Sequence, residues 1–394
     1  MPTVERACPV VRVTDGPFYH FFGYYDKCPW DAAGRNLLCM RVAFMHRPPG
    51  PEDMAIIGTV DLQDGNRWSP LAETTAWNWQ QGTHLQWLGS APDRLVIFNT
   101  RERDHYVAVI LDVHTGERQV LPRPIYAVSA DGRQAVTLNF SRVACTRPGY
   151  GYVGVPDAWA EDPAPAEDGI YHMDLATGAS RLVISLAQMA QFQREASMEG
   201  AEHWFNHLQF NPSGTRFIFL HRWRGPGIRG WHTRLFTASP DGSDIAFLGR
   251  EHLVSHFDWR DDDHVLAWSR HNGEDHFHLY RDRSDEVEVV GRDVLLQDGH
   301  CSYSPDRRWL LDDTYPDPAR SERTLILYHL ESNTRFDVGH FYAAPDISGE
   351  IRCDLHPRWN RDGTQVCFDS IHEGERQVYC MDVSGVLGSE AKLV

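Results

Sequence analysis

The sequence of 394 residues has no run approaching the ~18 consecutive apolar residues of a membrane-spanning helix. Its opening, Met1-Pro2-Thr3-Val4-Glu5-Arg6, has no apolar stretch of the kind that makes a secretory leader. There is no Cys-x-x-Cys pair and no His-Glu-x-x-His motif, so no local spacing announces a zinc or redox centre. The eight cysteines are scattered and read as free thiols of a reducing compartment, which predicts a cytoplasmic protein. Basic residues are in deficit: 38 Lys and Arg stand against 55 Asp and Glu, for a net charge of −17. That balance argues against nucleic acid or an anionic membrane as partner, because both need a basic surface. It leaves room for a small anionic ligand in a locally positive pocket. Low-complexity tracts and linkers are absent too, so residues 1–394 are expected to form one domain. No pattern specifies an oligomeric state.

What the chain does have is a repeated figure: histidine, two residues, then an aromatic. It occurs at His84–Trp87, His207–Phe210, His256–Trp259, His300–Tyr303 and His356–Trp359. Each copy leads into a turn signal and then an apolar strand, as in Asn211-Pro212-Ser213-Gly214 before Phe217-Ile218-Phe219-Leu220. Two further segments, Tyr25–Leu38 and Ile125–Gly132, carry the turn and second strand without the histidine. Seven repeats at about 40–50 residues predict an all-β fold, a seven-bladed β-propeller of four-stranded antiparallel blades. Residues 8–14 read as a lone strand, expected to close the ring beside Val378–Val383. Residues 147–165 form an insertion too rich in Gly, Pro and Ala for a strand, and residues 186–204 predict a short helix over one face. The tail Ser389–Val394 carries no pattern and is expected to be loose.

In such a disc each histidine begins the innermost strand of its blade, and the second strand returns to the same end. Second strands end in polar residues such as Arg142, Arg222, Asp313 and Asp369. One face is therefore expected to gather histidines, arginines and carboxylates, and it is the default site. Imidazoles converging there support a metal centre of His256, His300 and His356, or general acid–base chemistry. The bland alternative is that each imidazole merely caps its own strand. Tyr24, Tyr25 and Lys27 are candidates to position a substrate, and Arg142, Arg147 and Arg222 to hold its carboxylates. Tyr150 and Tyr152, in the insertion, suggest a lid.

Seven blades, axial histidines and a Tyr/Arg-bearing insertion resemble the β-propeller polysaccharide lyases: oligogalacturonate lyase, ulvan lyases and rhamnose–glucuronate lyases. The resemblance implies β-elimination on a small acidic oligosaccharide containing uronate. On the oligogalacturonate lyase pattern it implies a divalent metal (Mn, Zn or Ca) on His256, His300 and His356, with His207 as base. On the ulvan lyase pattern it implies His84, His105 and Tyr150 as proton-transfer residues. There the chain departs from the pattern. An Arg is wanted after the Tyr, and Ala166-Glu167-Asp168 stands instead, leaving neutralisation to Arg142, Arg222 or a metal. Two other functions compete. One is a non-catalytic binding or scaffold disc of the TolB or WD40 type. The other is a glycosidase using carboxylates among Asp258, Asp313 and Asp354.

Overall fold

The computed structural model describes residues 3–388, and the tail 389–394 lies outside them. Seven antiparallel sheets follow one another along the chain, six of four strands and one of five. Each runs from an axial first strand outward. In blade two the strands are Gln86–Trp87, Leu95–Glu102, His105–Asp112 and Arg118–Leu121; in blade four they are Glu202–Phe210, Phe217–Arg224, His232–Ala238 and Ala246–Gly249. The middle strands of each blade are the buried ones. Phe217, Ile218, Phe219 and Leu220 are all 0% exposed. Both their faces pack against neighbouring blades, which is why they read as continuous apolar runs rather than as alternation.

Ring closure follows the expectation. Val10–Arg12 pairs antiparallel with Gln377–Asp382, in the register Val10 to Met381 and Arg12 to Tyr379, and supplies the fourth strand of blade seven. A second N-terminal strand, Thr3–Glu5, adds in parallel to Thr334–Tyr342 as a fifth strand of blade six. It has only three residues and no alternation, so no pattern announced it.

Blade three departs from the expected outline. After Gln134–Thr137 the chain turns into a helix, Phe140–Thr146, instead of extending the strand. Asn139 starts it by accepting the backbone N–H groups of Ser141 and Arg142, the hydrogen bonds that the first turn cannot make internally. The two tyrosines of the insertion pack down onto the disc, while residues 153, 154, 156, 158 and 160–163 are exposed. Tyr152 is 0% exposed and stacks on Phe140 at 4.3 Å, and Tyr150 is also buried. Gly151 permits the contact, because a Cβ there would lie 2.1 Å from the Ala144 nitrogen and 2.3 Å from the Phe140 oxygen. The predicted helix after blade three is present as Leu186–Gln191, followed by a single 3-10 turn, Ala196–Met198. No helix among the described residues is long and apolar enough to cross a membrane. All eight cysteines are free.

Candidate functional site

Four of the five repeat histidines, His207, His256, His300 and His356, gather at the axis around Tyr24. His256 and His300 have ring centroids 4.0 Å apart, and His300 and His356 4.3 Å apart. Tyr24 stands in their midst: it stacks on His207 at 5.3 Å and 5° and touches His356 at 5.0 Å and His300 at 5.9 Å. Local backbone geometry turns several of these rings inward. His84, His207 and His356 sit at equivalent repeat positions with φ of 52°, 51° and 43°, the left-handed region that costs a residue with a Cβ roughly 1 kcal/mol or more. The step is held across the blade. In blades two and seven the second strand's N–H, from Asn99 and Asp369, reaches the carbonyl just before the histidine, each at 2.9 Å.

Each axial imidazole has a distinct environment. The Nδ1 of His300 faces Asp313 Oδ1 at 2.7 Å, and Asp313 also accepts the His300 and His356 backbone N–H groups at 2.9 and 3.3 Å. The Nδ1 of His256 meets Asp298 Oδ1 at 2.9 Å. The Nε2 atoms of His300 and His356 are buried without a hydrogen-bond partner. A carboxylate on Nδ1 with Nε2 left bare is how a protein presents an imidazole to a metal. His300, His356 and Asp354 bring one ligand atom each to within 4.8 Å of one another. His256 touches His300 but lies outside that trio, and Asp354 takes the place the sequence reading assigned to it. Asp354 is gripped by Arg323 and Arg352, each at 2.7 Å. Burial alone would raise its carboxyl, but the two guanidiniums outweigh burial and hold it well below the usual range. Burial, with His300 nearby, pushes His356 well below the usual imidazole range, so it is neutral and free to ligate. Two imidazoles and one carboxylate fit manganese or zinc; calcium, which takes oxygen ligands, does not match this donor set.

On the other side of Tyr24 lies a cationic flank. Arg222 is 4% exposed and donates to Asn206 Oδ1 at 2.8 Å and Thr233 Oγ1 at 3.2 Å, with no carboxylate partner among the described residues. Burial, then the neighbouring Arg147, pushes it down to about 10. Arg147 likewise makes no ion pair among the described residues. It lies over the rings of Tyr150, at 4.5 Å, and Trp231, at 4.6 Å. Burial, then Arg222, then His256 and Arg147, drive the His207 imidazole well below its ordinary value, so it is neutral. Its Nδ1 is held by Tyr126 Oη at 3.2 Å and Gln81 at 3.3 Å. The Tyr24 hydroxyl is buried without a partner, and burial raises it well above the usual phenol range, so it keeps its proton. Two exposed aromatics flank the cluster: Trp231, and Tyr315 at 6.2 Å from His300. A cavity of about 280 Å³ lined by Tyr315, Arg323, Arg352 and Ile347 opens beside it.

Several residues singled out in the sequence fall elsewhere. Arg142 is buried in the helix Phe140–Thr146, its fork spent on Asp157 and the carbonyls of Trp159, Asp162, Pro163 and His203. It anchors the insertion and has no donor left for a substrate. Tyr25, by contrast, keeps its ring beside the axial cluster, 5.4 Å from His300 and 5.8 Å from His256, but its hydroxyl is spent on the Phe257 backbone, donating to the oxygen at 2.9 Å and accepting from the nitrogen at 3.0 Å. Lys27 pairs with Asp26 at 2.7 Å and lines a cavity of about 170 Å³ with Gln209, Asp258 and Trp259. Those last residues end their innermost strands, so Lys27 sits at the opposite mouth of the channel from the histidines. His105 lies on an outer hairpin beside Asp104, more than half exposed. His84 is buried against Tyr126 and Phe140. The ulvan-type trio of His84, His105 and Tyr150 is therefore not assembled; Tyr150 instead accepts from Arg352 at 2.6 Å beside the axial cluster. The glycosidase carboxylates are engaged as well: Asp313 with His300, Asp354 with two arginines, and Asp258 with Gln209 and Tyr303 near the far mouth. Asp298, Arg323 and Arg352 escaped the sequence reading. A signal existed for the carboxylates, since Asp298-Gly299-His300 and Asp354-Leu355-His356 share an Asp-x-His spacing.

No protein-family model matches the chain, and no curated protein sequence matches it. Solved structures do. An oligogalacturonate lyase from Vibrio parahaemolyticus superposes with a TM-score of 0.67 at 15% identity, over 95% of this chain and 94% of that one. An oligogalacturonate lyase in complex with manganese superposes with a TM-score of 0.67 at 16% identity, over 97% and 95%. The tricorn protease reaches 0.50 at 12% identity, over 93% of this chain but 34% of that one. At such identities the likeness is one of fold, and it runs with the oligogalacturonate lyases over nearly the full length of both chains.

Proposed function

We propose that the protein is a lyase that cleaves short uronate-containing oligosaccharides by β-elimination at the axial cluster. The observation that carries this reading is the pair of guanidiniums, Arg147 and Arg222, that stand beside a neutral His207 with no carboxylate among the described residues to balance them. In a chain of net charge −17, two such arginines are suited to a ligand's carboxylate. The oligogalacturonate lyase folds are consistent with that substrate class.

The chemistry asks for three things, and the site has a group for each. The proton α to a uronate carboxylate is weakly acidic, so the charge that develops on the carboxylate needs cations in place beforehand. Arg147 and Arg222 serve there. His207 accepts the C5 proton, with Tyr126 and Gln81 fixing its ring through Nδ1 and leaving Nε2 for the substrate. Binding a carboxylate between the arginines also offsets the charges that depress His207, which raises its basicity when it is needed. Tyr24 donates its phenolic proton to the glycosidic oxygen as the C4–O bond breaks and the C4–C5 double bond forms. Trp231 and Tyr315 offer exposed rings for sugar faces. His300, His356 and Asp354 would hold a manganese or zinc ion, which supplies further positive charge toward the uronate carboxylate.

A scaffold disc would have its axial imidazoles satisfied by backbone. The bare Nε2 atoms of His300 and His356 argue against that alternative. The direct test is incubation with a panel of oligouronides, with and without Mn²⁺, followed by the ultraviolet absorbance of the conjugated unsaturated product. A protein that loads metal yet yields no such absorbance on any uronide would overturn the reading.

A further inference from the structure

Away from the axis, at the rim between blades four and five, a second group of ligating side chains comes together. Glu195, His232 and His252 each offer an atom within 4.8 Å of the others. They come from three separate elements. Glu195 precedes the 3-10 turn Ala196–Met198, His232 opens the third strand of blade four, and His252 lies in the connection to blade five. His252 adopts φ of 62°, and its carbonyl accepts the Thr233 N–H at 3.0 Å, which locks the connection against the strand that carries His232. The two imidazoles lie face to face, with centroids 4.2 Å apart and an interplanar angle of 17°. Trp223, fully buried, meets both edge-on, at 5.2 and 5.4 Å.

An ion pair alone does not account for this group. Glu195 Oε2 meets His252 Nε2 at 2.8 Å, and its other oxygen accepts from Arg234. His232 contributes nothing to the pair, and its Nδ1 is buried without a hydrogen-bond partner. Burial, then His252, hold His232 below the ordinary imidazole range, so it is a neutral donor. Burial works to raise the Glu195 carboxyl, but hydrogen bonds from Arg234 and His252 outweigh it and keep it ionised. Two imidazoles, one carboxylate and partial exposure make the donor set of an open zinc site, with the remaining position left to water.

We propose that Glu195, His232 and His252 form a second divalent-cation site, of the zinc type, that fastens residues 192–199 to the rim of the disc. Metal bonds of about 2.1 Å place tetrahedral ligand atoms roughly 3.4 Å apart. The two rings are stacked, so loading an ion requires one imidazole to turn out of the stack about its χ2 and aim its nitrogen at the point the other two ligand atoms share. The fastened segment is otherwise tied by Arg234, which donates to the Phe192 and Gln193 carbonyls at 2.9 and 2.8 Å. The site shares no residue with the axial cluster, so it stands whether or not the lyase reading does.

The experiment counts zinc. Full-length protein, stripped with a chelator, is titrated with Zn²⁺ by calorimetry, and bound metal is counted by atomic emission after desalting. In a His300→Ala protein, where the axial set is broken, one equivalent is expected to remain, and adding His252→Ala should abolish it. Should His300→Ala fail to fold, the single variants His232→Ala and His252→Ala serve instead, each expected to bind one equivalent fewer than the parent. Zinc is also expected to slow proteolysis within 192–199 in the parent protein but not in His252→Ala. Rim variants that bind as much zinc as the parent, or a folded His300→Ala protein that binds none, overturn the proposal.

Discussion

Replacing Asp313 by Asn changes one atom in the axial cluster and tests its logic most sharply. Asp313 is 1% exposed and accepts three hydrogen bonds: from His300 Nδ1 at 2.7 Å and from the backbone nitrogens of His300 and His356 at 2.9 and 3.3 Å. Burial works to raise its carboxyl, but the His300 imidazole and backbone N–H outweigh that and hold it low. Asparagine has the same shape but a single acceptor oxygen. If that oxygen faces His300, the amide NH₂ confronts the His356 N–H. If it faces His356, the NH₂ confronts His300 Nδ1–H and favours the tautomer that puts the proton on Nε2. The first orientation loses one charge-assisted hydrogen bond and the second loses two, since His300 Nδ1 and the His300 backbone nitrogen share Oδ1, so the least cost is about 1.5–3 kcal/mol. At about 1.4 kcal/mol per tenfold, that is one to two orders of magnitude in affinity for Mn²⁺ or Zn²⁺, the size expected when the residue behind a metal-binding imidazole is removed. Calorimetric titration of parent and Asp313→Asn proteins, each checked for folding by near-ultraviolet circular dichroism, measures it. Equal metal affinity in two folded proteins would refute the assignment of His300 and its Asp313 partner to a metal.

Other expectations follow from the same contacts. His207→Gln keeps a polar side chain but removes the base, and is expected to lower kcat on a cleaved uronide by about 10²–10⁴-fold with little change in KM. Because burial and Arg222 push the His207 imidazole down, the acid limb of kcat/KM should lie below the ordinary imidazole range. Arg222→Met should move that limb upward while raising KM for charged substrates; an unmoved limb would separate His207 from the titration. Tyr25→Phe leaves the Phe257 backbone unpaired and should cost about 1–3 kcal/mol of stability in denaturant titration, with KM unchanged. Gly151→Ala drives a methyl into the Ala144 nitrogen and should loosen the insertion, seen as faster proteolysis at residues 147–165 and a lowered Tm.

Periodic features were readable and solitary ones were not. The histidine register, the blade count and the closure by Val10–Arg12 repeat or complete a repeat, so a single consistent phase reveals them. The convergence of His256, His300 and His356 was readable for the same reason, since equivalent positions of a ring must face its axis. The fate of an individual arginine depends on where its fork ends. Arg142 and Arg222 both follow second-strand positions in the sequence. Yet a helix starting at Asn139 buries the first against carbonyls, while the second keeps its strand and reaches the axis. Tyr24 and Tyr25 are adjacent at a turn and both rings lie against His256 and His300, yet one hydroxyl stands bare among imidazoles and the other is bound to Phe257. The Asp-x-His pairs show that part of the second layer was written plainly enough, but two copies among five are harder to notice than a five-fold figure.

The two N-terminal strands reach further than closure. Thr3–Glu5 lies on the outer edge of blade six and Val10–Arg12 on that of blade seven, so ten residues straddle the seam between adjacent blades like a latch across two doors. Parting the two blades at that seam must strip one of these pairings, because residues 6–9 alone span the distance between them. Cutting away the first twelve residues would leave two neighbouring sheet edges, Thr334–Tyr342 and Gln377–Asp382, bare side by side and ready to capture a strand from another molecule.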